Sequence, residues 1–121
     1  MNFDNNIPIY IQIVEYLKTS IISGKYKPGD KLPSVRDLAF SLKVNPNTIQ
    51  KSLMELESLG LVFTESTSGK FVTKDLKKIE KYKKDIAKSL TKDYIDSMLK
   101  LGFKNSEIDN MIGEYNETIR N

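Results

Sequence analysis

The chain has 121 residues with 39% hydrophobic and 29% charged side chains, a composition that folds as one compact domain or a small domain with an appendage. It contains neither Cys nor His, which excludes disulfides, thiolate and imidazole metal sites, and Ser-His or Cys nucleophilic chemistry. The formal net charge of +3 is weakly basic, which suits a nucleic-acid partner without demanding one.

The polar start, Met1 to Ile7, lacks the apolar block of a signal peptide, and no later stretch is long and apolar enough to span a bilayer. The expectation is a cytoplasmic protein with no membrane partner. A first helix is expected from Pro8, whose fixed φ and missing N–H suit a helix start. Ile9, Ile13, Val14, Leu17, Ile21 and Ile22 follow at helical spacing, and Gly24 is the stop. Pro28-Gly29-Asp30 signals a turn, and Lys31-Leu32-Pro33 is a short extended piece, because a residue before proline is pushed out of the helical region.

Ser34, with Asp37 three residues on, opens a second helix whose apolar face is Val35, Leu38, Ala39 and Leu42. After the very short link Lys43-Val44, Asn45 caps a third helix with Pro46 at its first position, and Ile49, Leu53, Leu56 and Leu59 form its buried stripe up to Gly60. Leu61 to Glu65 and Lys70 to Thr73 read as two short strands around the polar Ser66-Thr67-Ser68-Gly69 turn, a β-hairpin. Two helices joined by a tight turn, then a hairpin, give a winged helix-turn-helix, mainly α, at residues 1–73.

Residues 74–121 form a helical segment expected to serve dimerisation. Eight lysines fall between Lys74 and Lys92, interleaved with Asp75, Glu80 and Asp85, so a solvated face explains them better than phosphate contact. Leu76, Ile79, Ile86, Leu90, Ile95, Met98 and Leu99 mark one helix, which stops at Leu101-Gly102-Phe103. Ser106 with Asp109 starts another, carrying Ile108, Met111, Ile112, Tyr115 and Ile119. Leu76 through Tyr115 on this stripe are the candidate packing seam between two subunits. Carboxylate pairs such as Asp93 with Asp96 match no metal-site spacing, so neither metal nor cofactor is expected.

In a helix-turn-helix the second helix enters the major groove with its first turns toward base edges. Here those turns present Asn47, Thr48, Gln50 and Lys51: amides that both donate and accept, and an ammonium for phosphate or guanine. Arg36, early in the second helix, and Lys70, beside Gly69 in the hairpin, are further cations for phosphate or groove contact. Each also reads as an ordinary solvent-facing side chain. Three function classes therefore stand: a DNA-binding regulator, a winged-helix protein-interaction module, and, weakest without His, Cys or a phosphate-cradling loop, an enzyme.

Pro8-Ile9-Tyr10 with Gln12-Ile13, Pro28-Gly29-Asp30, Leu32-Pro33-Ser34, Arg36, Leu38-Ala39, Val44-Asn45-Pro46-Asn47-Thr48, Leu56-Glu57 and Gly60-Leu61 together resemble the N-terminal domain of GntR-type transcriptional regulators over Asn6 to Val72. The resemblance implies a homodimer that binds double-stranded DNA at palindrome-like sites, with repression as the usual mode. It implies DNA contact for Arg36, Asn47, Thr48 and Gly69, and more weakly for Ser34, Asn45 and Lys51. The short C-terminal part is similar to the YtrA-like subfamily, in which two helices dimerise. A small-molecule effector is a further expected partner, though no residue pattern names one. The wing departs from the family's usual Gly-x-Gly at Thr67, which leaves its turn and its contacts open.

Overall fold

The computed structural model describes residues 1–120. Its elements are α1 (Ile9–Ile22), α2 (Val35–Leu42), α3 (Pro46–Ser58), β1 (Val62–Glu65), β2 (Gly69–Val72), α4 (Leu76–Lys100) and α5 (Asn105–Arg120). The chain divides into two compact units, Met1–Lys83 and Lys84–Asn121.

The core of the first unit is built where the helical spacing of the sequence places it. Ile13, Leu17 and Ile21 of α1, Leu38 and Ala39 of α2, and Ile49, Leu53 and Leu56 of α3 are buried together with Leu32, Leu61, Val62 and Val72. Pro8 caps α1 from just outside it, with an extended ψ of 136°. The Gln12 side chain then turns back and ties down the N-terminal segment. It accepts from the Asp4 N–H at 2.9 Å and donates to the Asp4 and Ile7 carbonyls at 2.7 and 2.9 Å.

Both expected caps of the helix pair form. Ser34 Oγ accepts from the Asp37 N–H at 3.0 Å, and Asn45 Oδ1 accepts from the Asn47 N–H at 2.8 Å. Each satisfies an N–H that a helix start leaves without an intrahelical partner. The turn between α2 and α3 places Lys43 in the left-handed region (φ 57°), a conformation that costs a non-glycine residue about 1–2 kcal/mol. The Val44 N–H closes it onto the Ala39 carbonyl at 3.0 Å.

The hairpin pairs Val62 with Val72, Phe63 with Phe71, Thr64 with Lys70 and Glu65 with Gly69. It lies one residue away from its expected bounds at the ends where Leu61 and Thr73 fall outside and Gly69 falls inside. Side chains alternate faces along a strand. Val62 and Val72 are buried, and Phe63 and Phe71 stack on the opposite face with ring centroids 5.7 Å apart. The extended Lys31-Leu32 piece runs beside β2: the Leu32 N–H donates to the Lys70 carbonyl at 2.8 Å, and Lys31 bridges Phe71. The glycine missing at position 67 is not needed, because positive φ falls on Ser66 (38°) and Gly69 (113°) and not on Thr67.

The first unit extends past the division expected at Thr73. Ile79 and Tyr82 pack against the core just described, and the Tyr82 hydroxyl donates to the Leu59 carbonyl at 3.0 Å. Ile79 is therefore used within the subunit and leaves the candidate seam. In the second unit the start expected at Ser106 with Asp109 is replaced by Lys104 with Glu107: the Lys104 N–H donates to Glu107 Oε1 at 3.0 Å. Ile108 is buried there and is likewise withdrawn from the seam, while Leu90, Leu99, Ile112 and Tyr115 remain exposed and Ile86, Ile95, Met98 and Met111 are half-buried. Leu76, in the first unit, is exposed.

Candidate nucleic-acid interface

The two-sided character of α3 sets the site. Ile49, Leu53 and Leu56 point into the core with no exposure, and Ser52 is buried beside them. That orientation turns Asn47, Gln50 and Lys51 outward, all exposed, with Thr48 half-buried at their edge. Arg36 stands exposed in the first turn of α2, and among the described residues no carboxylate pairs with it or with Lys51. Exposed polar side chains on a rigid helix are what base-edge readout requires.

Ser34 and Asn45 are both exposed, and their oxygens cap α2 and α3, which fixes where each helix begins. Gly69 closes the wing turn at φ 113°, where a Cβ would stand 3.2 Å from Lys31 Cε. Glycine alone takes that backbone freely.

Lys70, expected as a free cation at the hairpin tip, is not free in the structure. Strand alternation puts Thr64 and Lys70 on the same face as Val62 and Val72, toward α3. The Lys70 ammonium meets Glu57 Oε2 at 3.2 Å and Thr64 Oγ1 at 2.6 Å. The Thr64 hydroxyl also donates to Glu57 Oε1. This cluster ties the wing to the C-terminal half of α3 and largely cancels the charge of Lys70. Sequence reasoning misses the chemistry of Glu57, and that of Tyr10, whose ring lies under the Lys51 ammonium, because each partner is remote along the chain.

The Thr64 hydroxyl, and behind it the Lys70 ammonium, hold the Glu57 carboxyl below its ordinary value, against the opposing effect of partial burial. A carboxylate whose pKa is lowered by folding adds stability above its unfolded value and loses it as pH falls through the folded one. The wing is therefore expected to loosen on acidification below the ordinary carboxylate value of 4.5. Amide protection at Val62–Glu65 and Gly69–Val72, taken relative to intrinsic exchange rates at each pH, should fall there more steeply than in α1. Glu57→Gln should remove the difference, and an acid response identical in both proteins would show that Glu57 does not hold the wing.

Among the described residues no helix is long and apolar enough to cross a membrane, and no cluster of acidic side chains could hold a metal ion.

Residues 9–72 match the family described as bacterial regulatory proteins, gntR family. Over 73 residues the chain is 42% identical to the HTH-type transcriptional repressor YtrA of Bacillus subtilis (strain 168), covering 60% of this chain and 56% of that one. Among solved structures it is similar to a GntR family transcriptional regulator from Listeria monocytogenes, with 46% identity, a TM-score of 0.85, and coverage of 93% of this chain and 98% of that one. It is also similar to AraR(DBD) in complex with operator ORX1, with 33% identity, a TM-score of 0.54, and coverage of 55% and 81%.

Proposed function

From the premise that the chain belongs to the GntR family of transcriptional regulators and has YtrA-like relatives, we propose that it is a cytoplasmic, homodimeric, sequence-specific repressor. Its family is one of DNA-binding regulators, not enzymes. Each subunit lays the first turns of α3 into a major groove, with the two half-sites about one helical turn apart. Asn47, Thr48, Gln50 and Lys51 face base edges and phosphates, Arg36 clamps the backbone, and the wing turn around Gly69 lies over the neighbouring backbone or minor groove.

The observation that carries this reading is the outward polar start of α3, Asn47, Gln50 and Lys51, on a helix whose other face is fully buried. A protein-interaction module would show an apolar surface at the same place. Arg36 and Lys51 remain exposed charges there, although Phe40 of α2 and Met54 of α3 are also exposed.

The homodimer is supported by the second unit. Among its described residues Ile108 is the one buried hydrophobic side chain, while Leu90, Leu99, Leu101, Ile112, Tyr115 and Ile119 are exposed. A unit this small does not stand on such a core alone. Between α4 and α5 an open groove of about 440 Å³ is lined by Tyr94, Met98, Met111, Ile112 and Tyr115. We assign it to the second subunit in preference to a small-molecule effector, because the same exposed side chains border it.

The test is enrichment of duplexes from a randomised pool by the full chain, followed by competition between the enriched duplex and a scrambled one. Preference for the enriched duplex, with affinity falling steeply as salt rises, is expected. Equal affinity for both would reject sequence-specific regulation.

A further inference from the structure

We infer that Tyr10 of α1 is a positioning residue of this surface: its ring holds the Lys51 ammonium ready for a DNA phosphate without cancelling its charge. The inference rests on the function proposed above.

Lys51 Nζ lies 3.8 Å from the centroid of the Tyr10 ring. The other ammonium–ring pairs, Lys18 on Tyr82 and Lys25 on Tyr16 and Tyr26, are looser at 4.9, 5.3 and 5.8 Å. Two features fix the geometry. The buried Ser52, next to Lys51, has its hydroxyl 2.8 Å from the Thr48 carbonyl, its nearer acceptor, and 3.2 Å from the Tyr10 carbonyl, so α3 meets the α1 backbone beside the ring. Around them α1 and α3 pack through fully buried Ile13, Leu17, Ile49 and Leu53. The ring belongs to the scaffold, while Lys51 is exposed.

The two lysines of the site are held by opposite means. Lys70 is held by a carboxylate, which largely neutralises it. Lys51 is held by an aromatic face, which attracts a cation through its quadrupole and carries no net charge. The ammonium keeps its full charge and retains N–H donors on the side away from the ring. A free lysine gives up much of its rotamer freedom when it is fixed against a phosphate. Here part of that restriction is already present before the duplex arrives.

The probe is the duplex enriched by the full chain, titrated at several salt concentrations with Tyr10→Leu, Tyr10→Phe, Lys51→Met and the Tyr10→Leu/Lys51→Met double variant. Tyr10→Leu should weaken binding about two- to fivefold per subunit, part of the ordering cost of an immobilised lysine side chain that the ring has already met, with the slope of log affinity against log salt unchanged. Tyr10→Phe, which keeps the ring, should restore affinity. Lys51→Met should reduce the steepness of that slope by about 0.9 per subunit, and Tyr10→Leu should add nothing in its presence.

Stronger binding by Tyr10→Leu would overturn the inference, because the ring would then compete with the duplex. Equal weakening by Tyr10→Leu with and without Lys51 would overturn it too, leaving only a packing role. If the unaltered chain enriches no duplex at all, the proposed function falls and takes this inference with it.

Discussion

Leu53→Ala is expected to destabilise the first unit by about 2–5 kcal/mol, the usual cost of truncating a fully buried leucine. Leu53 has no exposure and sits in α3 among Ile13, Leu17, Ile49 and Leu56. The loss combines apolar surface no longer buried with a cavity that the packed helices cannot close. For a domain of this size each kcal/mol lowers Tm by about 4–8 °C, so a melting point reduced by about 10 °C or more is expected in calorimetry. The neighbouring Met54, 65% exposed, supplies the control: Met54→Ala should stay within about 0.5 kcal/mol of the parent. Equal melting points for the two variants would mean that α3 does not sit in the core as described.

The second large effect concerns assembly. Leu90 and Ile112 are 64% and 59% exposed, so a charge at either position disturbs no packing within the subunit. Buried at a subunit interface, two unpaired carboxylates would be very costly. The double variant Leu90→Glu/Ile112→Glu is expected to sediment as a monomer. Because a linked pair of half-site contacts makes its second contact at high effective concentration, affinity for the enriched duplex should fall by about 10²–10⁴-fold. A dimer-sized species that survives the double substitution would remove these residues from the seam. A monomer that binds with undiminished affinity would show that pairing is not needed for recognition.

The boundaries of α1 to α3, the caps of α2 and α3, and the outward face of α3 are legible in the sequence because each depends on neighbours within a few residues. Ser34 meets Asp37, Asn45 meets Asn47, and Ile49, Leu53 and Leu56 repeat at helical spacing. What is not legible depends on residues distant in the chain. Lys70 reads as a free cation until strand alternation turns it toward Glu57. Ile79 fits a dimer stripe until α4 is seen to continue the first unit against its core. Tyr10 and Lys51 lie on different helices, and nothing local announces that they meet.

The α5 start shows a different limit. Ser106 with Asp109 and Lys104 with Glu107 offer rival frames for the same helix. The second frame buries Ile108 and leaves the polar Ser106 exposed. The wing turn shows that a missing motif residue need not matter. The left-handed backbone is taken by Ser66 and Gly69, so position 67 does not call for the conformational freedom of glycine.

Base preference at the α3 face tests the central claim most directly. Enrichment from the randomised duplex pool is repeated with Asn47→Ala/Gln50→Ala, two exposed side chains whose truncation leaves the core untouched. The preference should relax at one or two positions in each half-site, by about 1–3 kcal/mol for each base edge no longer read, while general affinity for duplex at low salt is retained. An unchanged base preference in the double variant would contradict the placement of α3 in the groove.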